Sequence, residues 1–268
     1  AAEAEWAAST DVTPENEAKR TAAGQVVAAF KGDVQVIEQA RAHLKRKAEL
    51  DPLQVRQLDS ILLRAGGYPG TIPNVVNARV ETESRQTAIQ DGFTFCLEKV
   101  SSDGKCGKPI SANEIDNTLK TSKDLEERLR WWTASKESGR PLKPGLVELQ
   151  KLRNQVAREM GHSSFFALQV ADYGMTTDEM MKLLDSFVAD NKPLYDELQW
   201  WVTRELAKRY GAKPPKRGAP VPAHWFSNRW AQNWPGVAEG VDLDPYFKDR
   251  TAEWIVKQGE SFYTSIGF

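Results

Sequence analysis

Histidine and cysteine are scarce in this sequence, with three and two residues among 268. Zinc binding and acid–base chemistry draw on histidine first, so few sites of that kind can be assembled here. No other cluster of His, Cys, Asp and Glu falls at metal-ligand spacing, and neither a glycine-rich phosphate loop nor a G-x-S-x-G elbow is present. Charge of one sign is not in excess either. The 36 Lys and Arg against 37 Asp and Glu leave a formal charge of -1, which argues against nucleic acid as the main partner. Apolar clusters such as Val26 to Phe30 fall far short of the roughly 20 residues of a membrane-spanning helix, so no membrane span is expected. Strand-like alternation, internal repeats and low-complexity tracts are missing as well.

What is present is a globular composition, 40% apolar and 27% charged, carrying helical periodicity almost throughout. Thr13-Pro14-Glu15 reads as an N-cap, a proline at the first helical position and an acid in the first turn, with a break near Gly24 or Gly32. Val34, Ile37, Ala40 and Leu44 continue at helical spacing, and Leu53 to Leu62 opens another helix that stops at Gly66-Gly67. Two or three helices are thus predicted in the first third, followed by a weaker one from Asn74 to Phe95. Ser111-Ala112-Asn113-Glu114 has capping-box spacing. Leu125, Leu129 and Trp132 mark a helix ended by Gly139-Arg140-Pro141-Leu142-Lys143-Pro144, and Leu146 to Met160 the next one. Thr177 to Tyr210 is the longest periodic run, with Thr177 as its cap, Met180, Leu183, Leu184, Phe187 and Val188 on one face, and Pro193 as a kink. The expected fold class is all-α.

Cys96 and Cys106 flank a turn-like segment, and on the residues alone a local disulfide and two free thiols are both open. The chain starts at Ala1 with no initiator Met, as it would after removal of a leader, and export is expected.

None of the histidines completes a catalytic set. His43 lies on a charged helix face, and His224 precedes Trp225, against which it can pack. Arg158-Glu159-Met160-Gly161-His162 has the outline of a zinc-binding HExxH helix with its first histidine replaced. The guanidinium stays protonated and repels a cation, so the segment reads instead as a helix C-terminus with His162 at its carbonyl end. The aromatic run from Trp225 to Trp234 is more unusual. Residues 226, 230 and 234 recur at helical spacing, and so do Asn228 and Gln232. One reading is an aromatic core face. The other is that the amides of Asn228 and Gln232 share a face and bind a ligand carboxylate in an aromatic-walled cleft.

The sequence resembles the N-terminal half of the zinc peptidyl-dipeptidases related to angiotensin-converting enzyme, in their bacterial, secreted form. The resemblance runs nearly the whole length. It is carried by Thr13-Pro14-Glu15-Asn16-Glu17-Ala18, Arg140-Pro141-Leu142-Lys143-Pro144, Pro193-Leu194-Tyr195-Asp196-Glu197-Leu198, Glu260 to Phe268 and, most specifically, Pro222-Ala223-His224-Trp225 with Asn228-Arg229-Trp230-Ala231-Gln232-Asn233-Trp234.

The resemblance implies one lobe of a two-lobed, mostly helical enzyme with a deep central cleft. Residues 1–95 would be lid helices, 96–106 a disulfide loop, and 107–268 one wall of the cleft. It further implies a Cys96–Cys106 bond, a periplasmic or secreted location, and release of dipeptides from peptides with a free C-terminal carboxylate. Gln232 would hold that carboxylate, with Asn228 beside it. Zinc would be the cofactor, chloride a second ion, and Tyr173 the match to a tyrosine at one chloride site. At the other chloride site, where the family has an arginine, Ser135-Lys136 stands. The family's HExxH helix and third zinc ligand would lie beyond Phe268, so no catalytic or metal-binding residue is expected in this chain. It would be a fragment, a nicked chain or one of a split pair, with the C-terminal half as partner. The rival expectation is a non-catalytic helical peptide-binding or scaffold protein of the same fold.

Overall fold

Short polar side chains set where the helices begin. Thr13, Asp33, Asp51, Ser111, Asp124 and Thr176 each accept a hydrogen bond from a backbone N–H two or three residues on, satisfying donors that a helix start leaves unpaired. The computed structural model describes residues 1–99, 106–232, 234 and 244–268. Along them run α1 (Ala2–Thr10), α2 (Pro14–Lys31), α3 (Val34–Leu44), α4 (Pro52–Ala65) and α5 (Pro73–Asp91), then a hairpin of β1 (Phe95–Lys99) and β2 (Cys106–Ile110). After the hairpin come α6 (Ala112–Thr121), α7 (Leu125–Lys136), α8 (Gly139–Glu159), α9 (Phe165–Ala171), α10 (Thr177–Arg209), a 3₁₀ turn at Ala223–Trp225, α11 (Asp244–Phe247) and α12 (Ala252–Ser265). The fold is mostly helical, as expected.

Several boundaries differ from the sequence reading. Helix α1 was not anticipated: it is alanine-rich with no marked apolar face, so periodicity does not register it, and it is held by packing on α2 with Ala8 buried. Gly24 does not break α2, and it serves close packing, since a Cβ there would lie 3.0 Å from the Val80 side chain. Gly32 does end it. A Cβ at Gly32 would stand 1.6 Å from the Tyr68 carbonyl oxygen, and the Gly70 N–H donates to the Gly32 carbonyl at 2.8 Å.

Gly139 to Pro144 opens α8 rather than closing α7: Pro141 falls in the first turn, where no intrahelical donor is needed, and Pro144 lies inside the helix without ending it. The cap of α10 is Thr176, one residue earlier than predicted, in a capping box with Glu179. Pro193 lies inside α10 without ending it. The β1–β2 hairpin was missed because its register is irregular and β2 contains Gly107 and Pro109.

Among the described residues, much of the buried apolar core gathers in three clusters. Ala28 of α2, Val76 and Val80 of α5 and Val156 of α8 form one, and Ile110, Ile115, Leu119 and Ala134 form a second beneath the hairpin. The third joins Val202, Leu206 and Ala207 of α10 to Trp225 and Phe226. Beyond these, large apolar faces are uncovered. Leu184, Phe187, Val188 and Tyr195 line a groove of about 540 Å³ along α10, and α12 has no buried residue. The α12 end is closed by a left-handed Gly267, and the Phe268 N–H donates to the Tyr263 carbonyl at 3.0 Å.

Candidate functional site

After the 3₁₀ turn at Ala223–Trp225, residues 226–232 are not helical, and the carbonyls of residues 224–226 turn to a side chain instead. A helix would use these oxygens for its own i+4 N–H groups. Here the Arg128 guanidinium donates to them: Nε to His224 at 2.8 Å, and Nη2 to Trp225 at 3.1 Å and Phe226 at 2.8 Å. Two further anchors hold residue 229, whose carbonyl accepts from Trp132 Nε1 at 3.1 Å and Lys136 Nζ at 2.7 Å. The Arg229 side chain pairs with Asp116 through two hydrogen bonds of 2.9 and 3.1 Å. Beyond it, Ala231 is left-handed at φ 54, the Trp234 ring stacks on Phe226 at 5.4 Å, and Trp234 Nε1 donates to the Ala231 carbonyl.

The predicted helical face of Asn228 and Gln232 is therefore absent. The two residues do meet, differently: the Gln232 backbone N–H donates to Asn228 Oδ1 at 3.2 Å. Asn228 braces the turn, and the Gln232 side chain is exposed at its tip. Trp230 is also exposed, with the Lys136 ammonium 4.6 Å from its ring centroid and 5.0 Å from that of Trp132. Burial, and then the Arg229 charge, holds that ammonium below the usual lysine pKa. Lys136 thus stands against two tryptophan faces in the stretch where the family resemblance leads one to look for an arginine.

Tyr173 lies apart, on the turn after α9, and is 70% exposed. Cys96 and Cys106 are bonded to each other, with Cα atoms 5.6 Å apart. His43 is exposed, and the His162 N–H donates to the Ala157 carbonyl at the end of α8. Glu159 pairs with Arg41 at 3.2 Å and accepts from Thr71 Oγ1 at 2.7 Å, so it is engaged in joining helices. Among the described residues no three His, Cys, Asp or Glu side chains gather as a metal-binding group. The described residues do not fit a zinc site. Also among the described residues, no helix is long and apolar enough to cross a membrane.

Arg128 and Asp116 were not anticipated, and Lys136 was noted only as standing where an arginine was expected. A signal for Arg128 existed, since it falls between Leu125 and Trp132 on the apolar stripe of α7, where a charge needs a buried partner.

The peptidase family M2, angiotensin-converting enzyme, matches residues 1–268. Angiotensin-converting enzyme of Bos taurus is 26% identical over 279 aligned positions, covering 98% of this chain and 20% of that protein. The Oryctolagus cuniculus enzyme is 27% identical with the same coverage, and that of Haematobia irritans exigua is 26% identical over 58% of this chain and 27% of its own length. The chain thus spans about a quarter or less of these curated relatives.

Proposed function

This chain belongs to the angiotensin-converting enzyme family of peptidases, and from that premise we propose that it is the N-terminal portion of a secreted, bacterial zinc peptidyl-dipeptidase. Residues 107–268 supply one wall of the substrate cleft and residues 1–95 its lid helices. Gln232 binds the free C-terminal carboxylate of the peptide, and Asn228 holds the turn that presents it. The zinc ligands and the general base come from a C-terminal half outside residues 1–268, so this chain alone is inactive. Tyr173 contributes to a chloride site.

The observation that carries this reading is the family match over the whole chain, which includes the Trp230-Ala231-Gln232 segment. Its geometry is consistent: Gln232 stands exposed between a fixed residue 229 and the Phe226–Trp234 stack, and a primary amide can donate two hydrogen bonds to a carboxylate. The uncovered apolar faces of α10 and α12 are where a C-terminal half would dock, and the Cys96–Cys106 bond accords with an oxidising compartment.

The test is Gln232→Ala in the complete enzyme. One hydrogen bond to a charged group contributes about 1.5 to 3 kcal/mol, so KM for free-carboxylate peptides should rise roughly 10- to 150-fold. Peptides with an amidated C-terminus should be handled alike by variant and wild type. Equal kinetics of variant and wild type on both substrates would refute the assignment.

A further inference from the structure

Arg128 is a fully buried cation, and among the described residues every hydrogen bond it makes goes to a backbone carbonyl. Its five N–H groups are all engaged. Besides the three carbonyls at 224–226, Nη1 donates to Leu119 at 2.7 Å and to Ser122 at 2.8 Å. The guanidinium stands 4.7 Å from the Tyr210 ring centroid, and the Tyr210 hydroxyl donates in turn to the Trp225 carbonyl at 3.0 Å. One side chain therefore ties the α6–α7 connection to three consecutive peptide groups ahead of Gln232.

Burying a charge is costly, and packing alone would be served as well by an apolar side chain. What a guanidinium adds is a planar fork of five donors that fixes the directions of five oxygens, which neither lysine nor a neutral residue can reproduce. The chain between Phe226 and Trp234 is then pinned at both ends, because Trp234 stacks back on Phe226, and Gln232 is presented from this closed loop.

We infer that Arg128 is a positioning residue for ligand recognition: it sets the backbone of residues 224–226 so that the Gln232 amide meets the peptide carboxylate. The inference rests on the reading of Gln232 given above, and adds to it a residue that never touches substrate.

The experiment compares wild type, Arg128→Lys, Gln232→Ala and the double variant in the complete enzyme. Each is assayed on a peptide with a free C-terminus and on its amide, alongside hydrogen exchange of the amides in 226–232. Arg128→Lys keeps the charge but loses the fork. It should raise KM for the free acid about tenfold, the lower end of what a misplaced charged hydrogen bond forfeits, with kcat changed less than about twofold and KM for the amide unchanged. Exchange should quicken in 226–232 and not in α2, α5 or α8. In the Gln232→Ala background, Arg128→Lys should have no further effect on KM, which a generally weakened fold would not reproduce. If Arg128→Lys does not fold, Tyr210→Phe removes one bond to the Trp225 carbonyl and should give the same pattern, weaker. A wild type that treats acid and amide alike overturns the Gln232 reading and the role of Arg128 with it. A wild type that discriminates, beside a folded Arg128→Lys or Tyr210→Phe with unchanged KM ratio and exchange, overturns the positioning role alone.

Discussion

At the scale of single residues, the chain concentrates unusual environments around one loop. His224 shows this. Burial, reinforced by the Arg128 charge, holds its imidazole below the usual histidine pKa. The unfolded chain therefore takes up a proton on this residue at higher pH than the folded chain does. Its contribution is intact above the ordinary histidine range and is lost as pH falls from there through the depressed folded value. Urea unfolding between about pH 8 and about pH 5 should show wild-type stability declining more steeply than that of His224→Gln; parallel curves would refute this. Residue roles were only partly legible in the sequence. Gln232 was singled out by its aromatic neighbours, whereas the arrangement around it was misjudged, because the spacing of 226, 230 and 234 mimics a helix while the carbonyls of 224–226 accept from Arg128. A buried arginine looks like any other in sequence, and only its place on an apolar stripe marks it.

At the scale of elements, helices were readable wherever a cap and a stripe coincide, as at Ser111-Ala112-Asn113-Glu114, which forms the predicted capping box. They were misread where proline marks a start instead of a stop, as in α8. The hairpin shows the limit of periodicity: it is held by its pairing and a covalent bond more than by any alternation in β2. Replacing Cys96 and Cys106 with serine opens a loop of sequence separation 10 and should lower unfolding free energy by about 2 to 3 kcal/mol on the chain-entropy account. Denaturant titration of reduced wild type should match that variant. The α2–α3 junction makes a second prediction. Gly32→Ala sets a methyl against the Tyr68 carbonyl, a backbone atom that cannot swing aside, and should cost about 1 to 3 kcal/mol, read as a lower urea midpoint with unchanged slope.

At the scale of the whole molecule, the core does not use all the apolar surface the sequence provides. The face of α10 on which Met180 to Val188 recur was legible as a stripe, but its burial was not: Phe187 and Val188 are 53% and 66% exposed. Amphipathicity states that a face needs a partner and does not say which chain supplies it. Alone, the 268-residue chain should self-associate with rising concentration and bind an apolar dye. Phe187→Glu with Val188→Lys should reduce both in sedimentation and fluorescence measurements without lowering the unfolding midpoint, since these side chains lie outside the three core clusters.

The most direct test of the account is to assay the 30.1 kDa chain for bound zinc and for dipeptide release from a free-carboxylate peptide, beside the complete enzyme that contains it. The chain alone should hold no stoichiometric zinc and release nothing, whereas the complete enzyme should hold about one zinc per catalytic site and release dipeptides. Stoichiometric zinc and dipeptide release by the 268-residue chain on its own would contradict the account.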